Sequence, residues 1–270
     1  MELSSVNSTA LWTASVRAQE HRKANSLIKD PYAARFVDKS DTTILENFKD
    51  LEKPRTSIIS RHHFIDNYLS NNLQSNKQQF IVTIGCGFDC RPFRLTHGKW
   101  YEVDQAAIIE FKENILPASQ CGNLLQRISA DITTVQFVDV LKNLPLIDPI
   151  FVIEGVFNYL NESAVQQLLN TVKTEFPNCT VICDLMNETF YSKYAKDFRA
   201  ALASVNLSYR YLRNDYPKFL QNLGFSIVEA HSIIDLSIQV GLFSVPKIIR
   251  KLFLAKLAEG YTLYILRPSD

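Results

Sequence analysis

The chain lacks a basic excess: 29 Lys and Arg stand against 28 Asp and Glu, for a net charge of +1. Phosphate-backbone binding rests on clustered positive charge, so nucleic acid is not an expected partner. Long apolar runs are missing too. No stretch approaches the roughly 20 residues of a membrane helix, and the polar opening Glu2 to Thr9 lacks the basic-then-apolar order of a secretion signal. A cytoplasmic location without a membrane partner is expected. Cysteines are few, five in all and odd in number, which fits reduced thiols rather than a disulfide framework. On a strand, Cys179 and Cys183 would lie about 13 Å apart, too far to share one metal. No His or Cys follows Cys86 and Cys90 at a zinc spacing, so no metal is expected. The chain also shows no internal repeat and no low-complexity tract.

What is present is a 46 % hydrophobic composition over 270 residues, enough to bury a substantial core. Short apolar segments at Phe80 to Ile84, Pro149 to Ile153 and Cys179 to Leu185 read as buried strands of a parallel sheet. Val165, Leu168, Leu169, Val172 and Phe176 share one helix face after Asn161, a candidate N-cap. Strands alternating with helices predict an α/β fold with a doubly wound sheet. Further strands at Trp100 to Val103, Arg127 to Ser129, Phe225 to Glu229 and Tyr261 to Leu266 bring the count to seven, the last two as antiparallel neighbours at one edge. Residues 1–75 carry helical patterns and no strand, which predicts an N-terminal helical cap ahead of a core over 76–270. The segment Val245 to Leu257 interleaves Ile248, Ile249, Leu252 and Phe253 with Lys247, Arg250, Lys251 and Lys256. It reads as a basic amphipathic helix, packed on its own domain or lying on an acidic or membrane surface.

The first strand runs into Gly85-Cys86-Gly87-Phe88-Asp89, and Gly-x-Gly after a strand lets a ligand approach the backbone. The third glycine of the dinucleotide fingerprint would fall at Cys90, which disfavours NAD. Asp104 follows Gly85 by nineteen positions, about the separation at which a carboxylate meets ribose hydroxyls; it could equally cap the next helix. Asp131 suits either a base edge or a local turn. Glu154 ends the fourth strand, where open α/β sheets bind ligands. The Pro-Pro-aromatic sequence of base-nitrogen methyltransferases does not occur there.

Taken together, Thr9-Ala10-Leu11, Arg17 to Glu20, Asp30-Pro31-Tyr32-Ala33, Arg61 with Asp66, Ile84 to Leu95, Glu102-Val103-Asp104, Asp131 and Glu154 to Leu160 resemble the leucine carboxyl methyltransferase family and its bacterial polyketide-type O-methyltransferase relatives. The resemblance implies a class I methyltransferase with a Rossmann-like seven-stranded sheet and S-adenosyl-L-methionine as cofactor. It places Gly85, Cys86 and Gly87 under the cofactor, Asp104 and Gln105 at the ribose, Asp131 and Ile132 at the adenine, and Glu154 and Gly155 near the methionine part. It further assigns Arg61 to the cofactor carboxylate, as a bidentate partner, with help from Arg17. Read without the resemblance, both arginines would be exposed helix charges.

Methyl transfer from a sulfonium needs an aligned nucleophile, and an ionised carboxylate needs no base. No histidine follows a core strand in a base position; His62, His63, His97 and His231 read as structural or solvent-facing. The expectation is therefore O-methylation of a carboxylate on a small-molecule acceptor. Tyr159, Asn187, Tyr191 and Tyr209 are candidates for its pocket, though each could be an ordinary partly buried residue. A protein C-terminal carboxylate as acceptor and a noncatalytic sensor remain as alternatives.

Overall fold

The computed structural model describes residues 5–244 and 255–269. Most of the basic amphipathic stretch, 245–254, lies outside the described residues. Seven strands form one sheet: β1 (Phe80–Ile84), β2 (Lys99–Asp104), β3 (Leu124–Ser129), β4 (Ile150–Ile153), β5 (Thr180–Met186), β6 (Phe225–Ser232) and β7 (Tyr261–Pro268), in the order β3-β2-β1-β4-β5-β7-β6. β1 to β5 run parallel, while β7 is antiparallel to β5 and to the edge strand β6. The chain order reverses between β1 and β4, so their carboxyl ends open a crevice in which a ligand can lie.

Helices cover both faces of this Rossmann-like sheet, as burial of both faces requires. α1 (Ser5–His21), α2 (Ala33–Asp38) and α3 (Glu52–Ser75) precede β1; α4 (Arg91–Arg94), α5 (Ala106–Ile115), α6 (Val135–Lys142) and α7 (Glu162–Glu175) connect the parallel strands. α8 (Glu188–Tyr194), α9 (Lys196–Ser204), α10 (Tyr216–Asn222) and α11 (Ile233–Gln239) lie between β5 and the described part of the C-terminal region. Side chains alternate across a strand, so Val82 and Ile84 pack with Val165, Leu168 and Val172 of α7, whereas Ile81 joins Ile59, Ile65 and Leu69 of α3 on the other face. α3 thus packs on the sheet, while Leu11 and Ala14 of α1 and Phe36 of α2 pack with Phe88, Ile108 and Leu116. Asn161 caps α7 by accepting the Ala164 N–H at 2.8 Å, the bond that its residue type predicts.

Candidate active site

The glycine turn follows β1 directly. Gly85 and Gly87 have φ of +66° and +46°, a region that costs other residues strain. A Cβ on Gly85 would also stand 2.5 Å from Val156 Cγ2 in the loop after β4, so the two loops pack with no room for a side chain between them. The Gly85 N–H donates to Val103 O at 2.8 Å, tying the turn to the end of β2. There Asp104 accepts from Gly87 N–H through Oδ2 and from Gln105 N–H through Oδ1, both at 2.7 Å. Burial outweighs these two donors and raises the Asp104 pKa, so the carboxylate retains a need for further donors, which a ribose diol would meet.

Asp131, after β3, accepts from the Thr133 N–H at 2.9 Å and its hydroxyl at 2.7 Å. This is the turn role open to it from sequence, and Asp131 and Ile132 also line the cavity described below. Asn187 accepts the Phe190 N–H at 2.7 Å and caps α8; neither it nor Tyr191 is among the residues lining the cavity. Tyr191 stands behind the wall, its ring stacked on Tyr209 at 5.0 Å, and Tyr209 meets Tyr159 edge-on at 5.0 Å. Tyr159 and Tyr209 do face the cavity. Burial drives both phenol pKa values up, that of Tyr159 to about 12, so both stay neutral hydrogen-bonding groups.

Arg17 and Arg61 are both buried rather than exposed helix charges. Arg17 donates from Nε to Asp30 at 3.0 Å and from Nη2 to Phe88 O at 2.6 Å, bracing the glycine turn from α1. Arg61 donates from Nε to Glu154 Oε1 at 2.9 Å and from Nη1 to Asp184 Oδ2 at 2.7 Å and to the Tyr261 hydroxyl. A bidentate grip on a ligand is therefore unavailable to Arg61 as placed, because two of its three nitrogens already serve protein acceptors; Nη2 is left.

Glu154 sits among cations: its Oε2 lies 2.8 Å from Arg91 Nη2 and 3.4 Å from His62 Nδ1. Burial pushes its pKa up, but Arg91, Arg61 and His62 together hold it well below the usual carboxylate range. Arg91 also pairs with Asp89 at 2.6 Å and Asp66 at 2.7 Å. His62 has Arg91 Nη2 2.7 Å from Nδ1 and Arg94 Nη2 2.9 Å from Nε2. Burial first, then Arg91, lowers its pKa. This imidazole is a member of a buried ion network, which is the structural rather than the solvent-facing of the two placements expected for it.

Sequence reasoning passed over Asp184 and Tyr261. Asp184 had a signal, since it is an acid inside the apolar run Cys179 to Leu185; Tyr261 opens a strand and had none. Glycine turn, acids, arginines and tyrosines meet around one cavity of about 740 Å³, whose far wall includes Trp12, Phe190 and Phe198. That volume lies within the range of small-molecule sites. Among the described residues no group of three or more His, Cys, Asp or Glu could hold a metal ion, and no helix is long and apolar enough to cross a membrane.

Comparison with known proteins decides the family, because the sequence profile of leucine carboxyl methyltransferase matches residues 10–173. The chain belongs to the leucine carboxyl methyltransferase family. Its matched segment runs from the α1 residues beside the glycine turn to the end of α7, and so includes β1 to β4 and the Glu154 loop. A Streptomyces avermitilis protein provisionally described as an S-adenosyl-L-methionine-dependent methyltransferase is 28 % identical over 187 residues, 64 % of this chain and 66 % of that relative. The match thus spans just under two thirds of the relative. The tetracenomycin polyketide synthesis O-methyltransferase TcmP of Streptomyces glaucescens is 24 % identical over 210 residues, 76 % of this chain and 75 % of TcmP. In three dimensions, the crystal structure of a duf574 family protein from Streptomyces avermitilis covers 94 % of this chain and 96 % of its own length with a TM-score of 0.59. At 11 % identity that likeness concerns the fold alone.

Proposed function

We propose that the chain is an S-adenosyl-L-methionine-dependent O-methyltransferase that converts a carboxylate of a small-molecule acceptor into its methyl ester. The cofactor is S-adenosyl-L-methionine. Ile132, Asp131 and Asp104 would hold its adenosine, Arg61 and Glu154 would face its amino-acid end, and the glycine turn would leave it room because no Cβ intervenes. The residues fit it: Asp104 offers lone pairs to a diol, and Arg61 Nη2 offers donors to a carboxylate. The acceptor takes the remaining space beside Tyr159, Tyr209 and the apolar wall.

One observation carries the choice of carboxylate over phenol: the histidine and the glutamate that line the cavity beside Arg61 are already engaged by guanidinium groups. Both nitrogens of His62 face guanidinium groups. Glu154 is held by Arg61 and Arg91, and Asp184 by Arg61, Tyr261 and the Gly155 N–H. The tyrosines keep their protons. An acceptor that had to lose a proton beside Arg61 would find these groups occupied, whereas a carboxylate arrives ionised and needs only to be aimed. When bound, S-adenosyl-L-methionine would supply a sulfonium methyl group: a C–O bond to the acceptor would form as the C–S bond breaks with its electron pair left on sulfur, giving an ester and a thioether. TcmP, an O-methyltransferase of polyketide synthesis by name, supports an oxygen acceptor on a small molecule.

The test is transfer of labelled methyl groups from S-adenosylmethionine to a panel of aryl carboxylic acids, phenols and peptides with free C-termini. Label released as methanol by mild alkali from the acids is the expected result. Alkali-stable methyl ethers on the phenols alone would overturn the carboxylate assignment, and labelled peptides alone would move the acceptor to a protein C-terminus.

A further inference from the structure

The carboxyl-terminal part of β5 and the amino end of the antiparallel β7 come together at Asp184 and Tyr261, two buried residues for which the methyl transfer itself has no use; of the two, Tyr261 lines the cavity. Asp184 Oδ1 accepts the Gly155 N–H at 2.6 Å, while Oδ2 accepts Arg61 Nη1 and the Tyr261 hydroxyl, each at 2.7 Å. The Tyr261 oxygen in turn accepts from Arg61 Nη1, closing a triangle. Glu154 holds Nε on the other side. A planar guanidinium fixed at Nε and Nη1 has no rotational freedom left, so the direction of Nη2 is determined. That nitrogen carries no protein hydrogen bond among the described residues. Unlike the enclosed Nη2 of Arg127, it opens toward the cavity that Arg61 lines. Beside it is Gly155, with φ +69°, where an added Cβ would stand 3.3 Å from Nη2.

We propose that Asp184 and Tyr261 are positioning residues that hold the Arg61 guanidinium so that its Nη2 meets the carboxylate of the cofactor's amino-acid part, with Gly155 leaving that approach open. The inference rests on the cofactor reading above and goes beyond it in assigning a function to β5 and β7, which lie outside the segment matched by the family profile. The alternative for such a triangle is plain structural pairing of a buried charge, which would stabilise the fold without regard to ligand. The two differ in which ligand they affect. S-adenosylhomocysteine carries the amino-acid group; 5′-methylthioadenosine has the same nucleoside and thioether and lacks it.

Calorimetric titration of both ligands into the parent, Tyr261→Phe and Asp184→Asn separates these roles. Loss of one or two aiming hydrogen bonds should raise the Kd of S-adenosylhomocysteine about 3-fold to 10-fold in Tyr261→Phe and about 10-fold or more in Asp184→Asn. Binding of 5′-methylthioadenosine should stay within about twofold of the parent, since the same bonds do not bear on it. Equal weakening of both ligands, or no change for either, overturns the positioning role. Should Asp184→Asn fail to fold, Tyr261→Phe decides, because it removes one oxygen and keeps the ring. A parent that does not bind S-adenosylhomocysteine overturns the cofactor reading and the brace together, an outcome distinct from a parent that binds and variants that bind as well.

Discussion

The oxygens of Asp104 already accept the Gly87 and Gln105 N–H groups, which orient the carboxylate. The sequence left ribose contact and helix capping open there, and in the structure Gln105, not Asp104, occupies the N-cap of α5. Each Asp104 oxygen keeps a lone pair toward the cavity. Substitution Asp104→Ala therefore removes both the brace of the glycine turn and the partner of the ribose. The expected outcome is a rise of at least about tenfold in the S-adenosylhomocysteine Kd by calorimetry, from hydrogen bonds to a charged group worth about 1.5–3 kcal/mol. Unaltered affinity would remove Asp104 from the cofactor site. The Arg61 expectation changes more. Charge and planarity suggested a fork closing on a ligand, yet Glu154 and Asp184 occupy two of its nitrogens, and the ligand is left a single edge.

Among elements, the segment between α9 and α10 is held in part by one buried side chain. Asn158, in the turn after β4, accepts the Met186 N–H at 3.1 Å and donates to Tyr211 O at 2.8 Å; its own carbonyl accepts the Arg210 N–H at 2.7 Å. The end of β5 and the irregular stretch bearing Tyr209 are thus fastened to the Glu154 loop. Asn158→Ala removes the acceptor of the Met186 N–H in a buried setting, where an unmet polar group costs about 1–3 kcal/mol, and leaves Tyr211 O to the Tyr216 hydroxyl alone. We expect a lower denaturation midpoint and a weaker KM for the acceptor, with S-adenosylhomocysteine affinity close to the parent's. A variant with parental stability and kinetics would show that Tyr209 is held by its ring contacts alone.

Across the whole molecule, the helices ahead of β1 are bound to the sheet by apolar packing on one face and by the buried ion network at the carboxyl end of the strands. Charge in that network gives folding a specific pH dependence. Burial raises the Asp89 carboxyl, but Arg91, His62 and Arg17 outweigh it and hold the pKa at about 2, below the ordinary 3.8; Glu154 is likewise depressed from 4.5. A depressed carboxylate stabilises the fold above its unfolded pKa and loses that contribution as pH falls through the folded one. His62, lowered from 6.5 chiefly by burial, takes up a proton more readily unfolded, so stability begins to fall below about pH 6.5. Thermal unfolding should show a Tm that declines gently below pH 6.5 and steeply between about pH 4.5 and 2. Asp89→Asn should flatten the steep limb, and His62→Gln the gentle one. A Tm independent of pH over that range would mean that the network does not persist in solution.

The sequence by itself determined the α/β class, the seven strands and the turn after β1. Unbroken apolar runs and a Gly-x-Gly that no other residue could replace are local signals, written in consecutive residues. It also placed the acids at the ends of β2 and β4, because their distance along the chain from Gly85 reflects the repeat length of a strand-helix unit. Only the tertiary structure decided which charges are spoken for. Arg61 and Asp184 are 123 positions apart, and Arg61 and Tyr261 are 200; no periodicity links them, and the antiparallel pairing of β7 with β5 brings them together. For the same reason His62 could look solvent-facing and be buried between Arg91 and Arg94. Whether a polar side chain is free for a ligand depends on what every other element brings to it, and that is a property of the assembled fold.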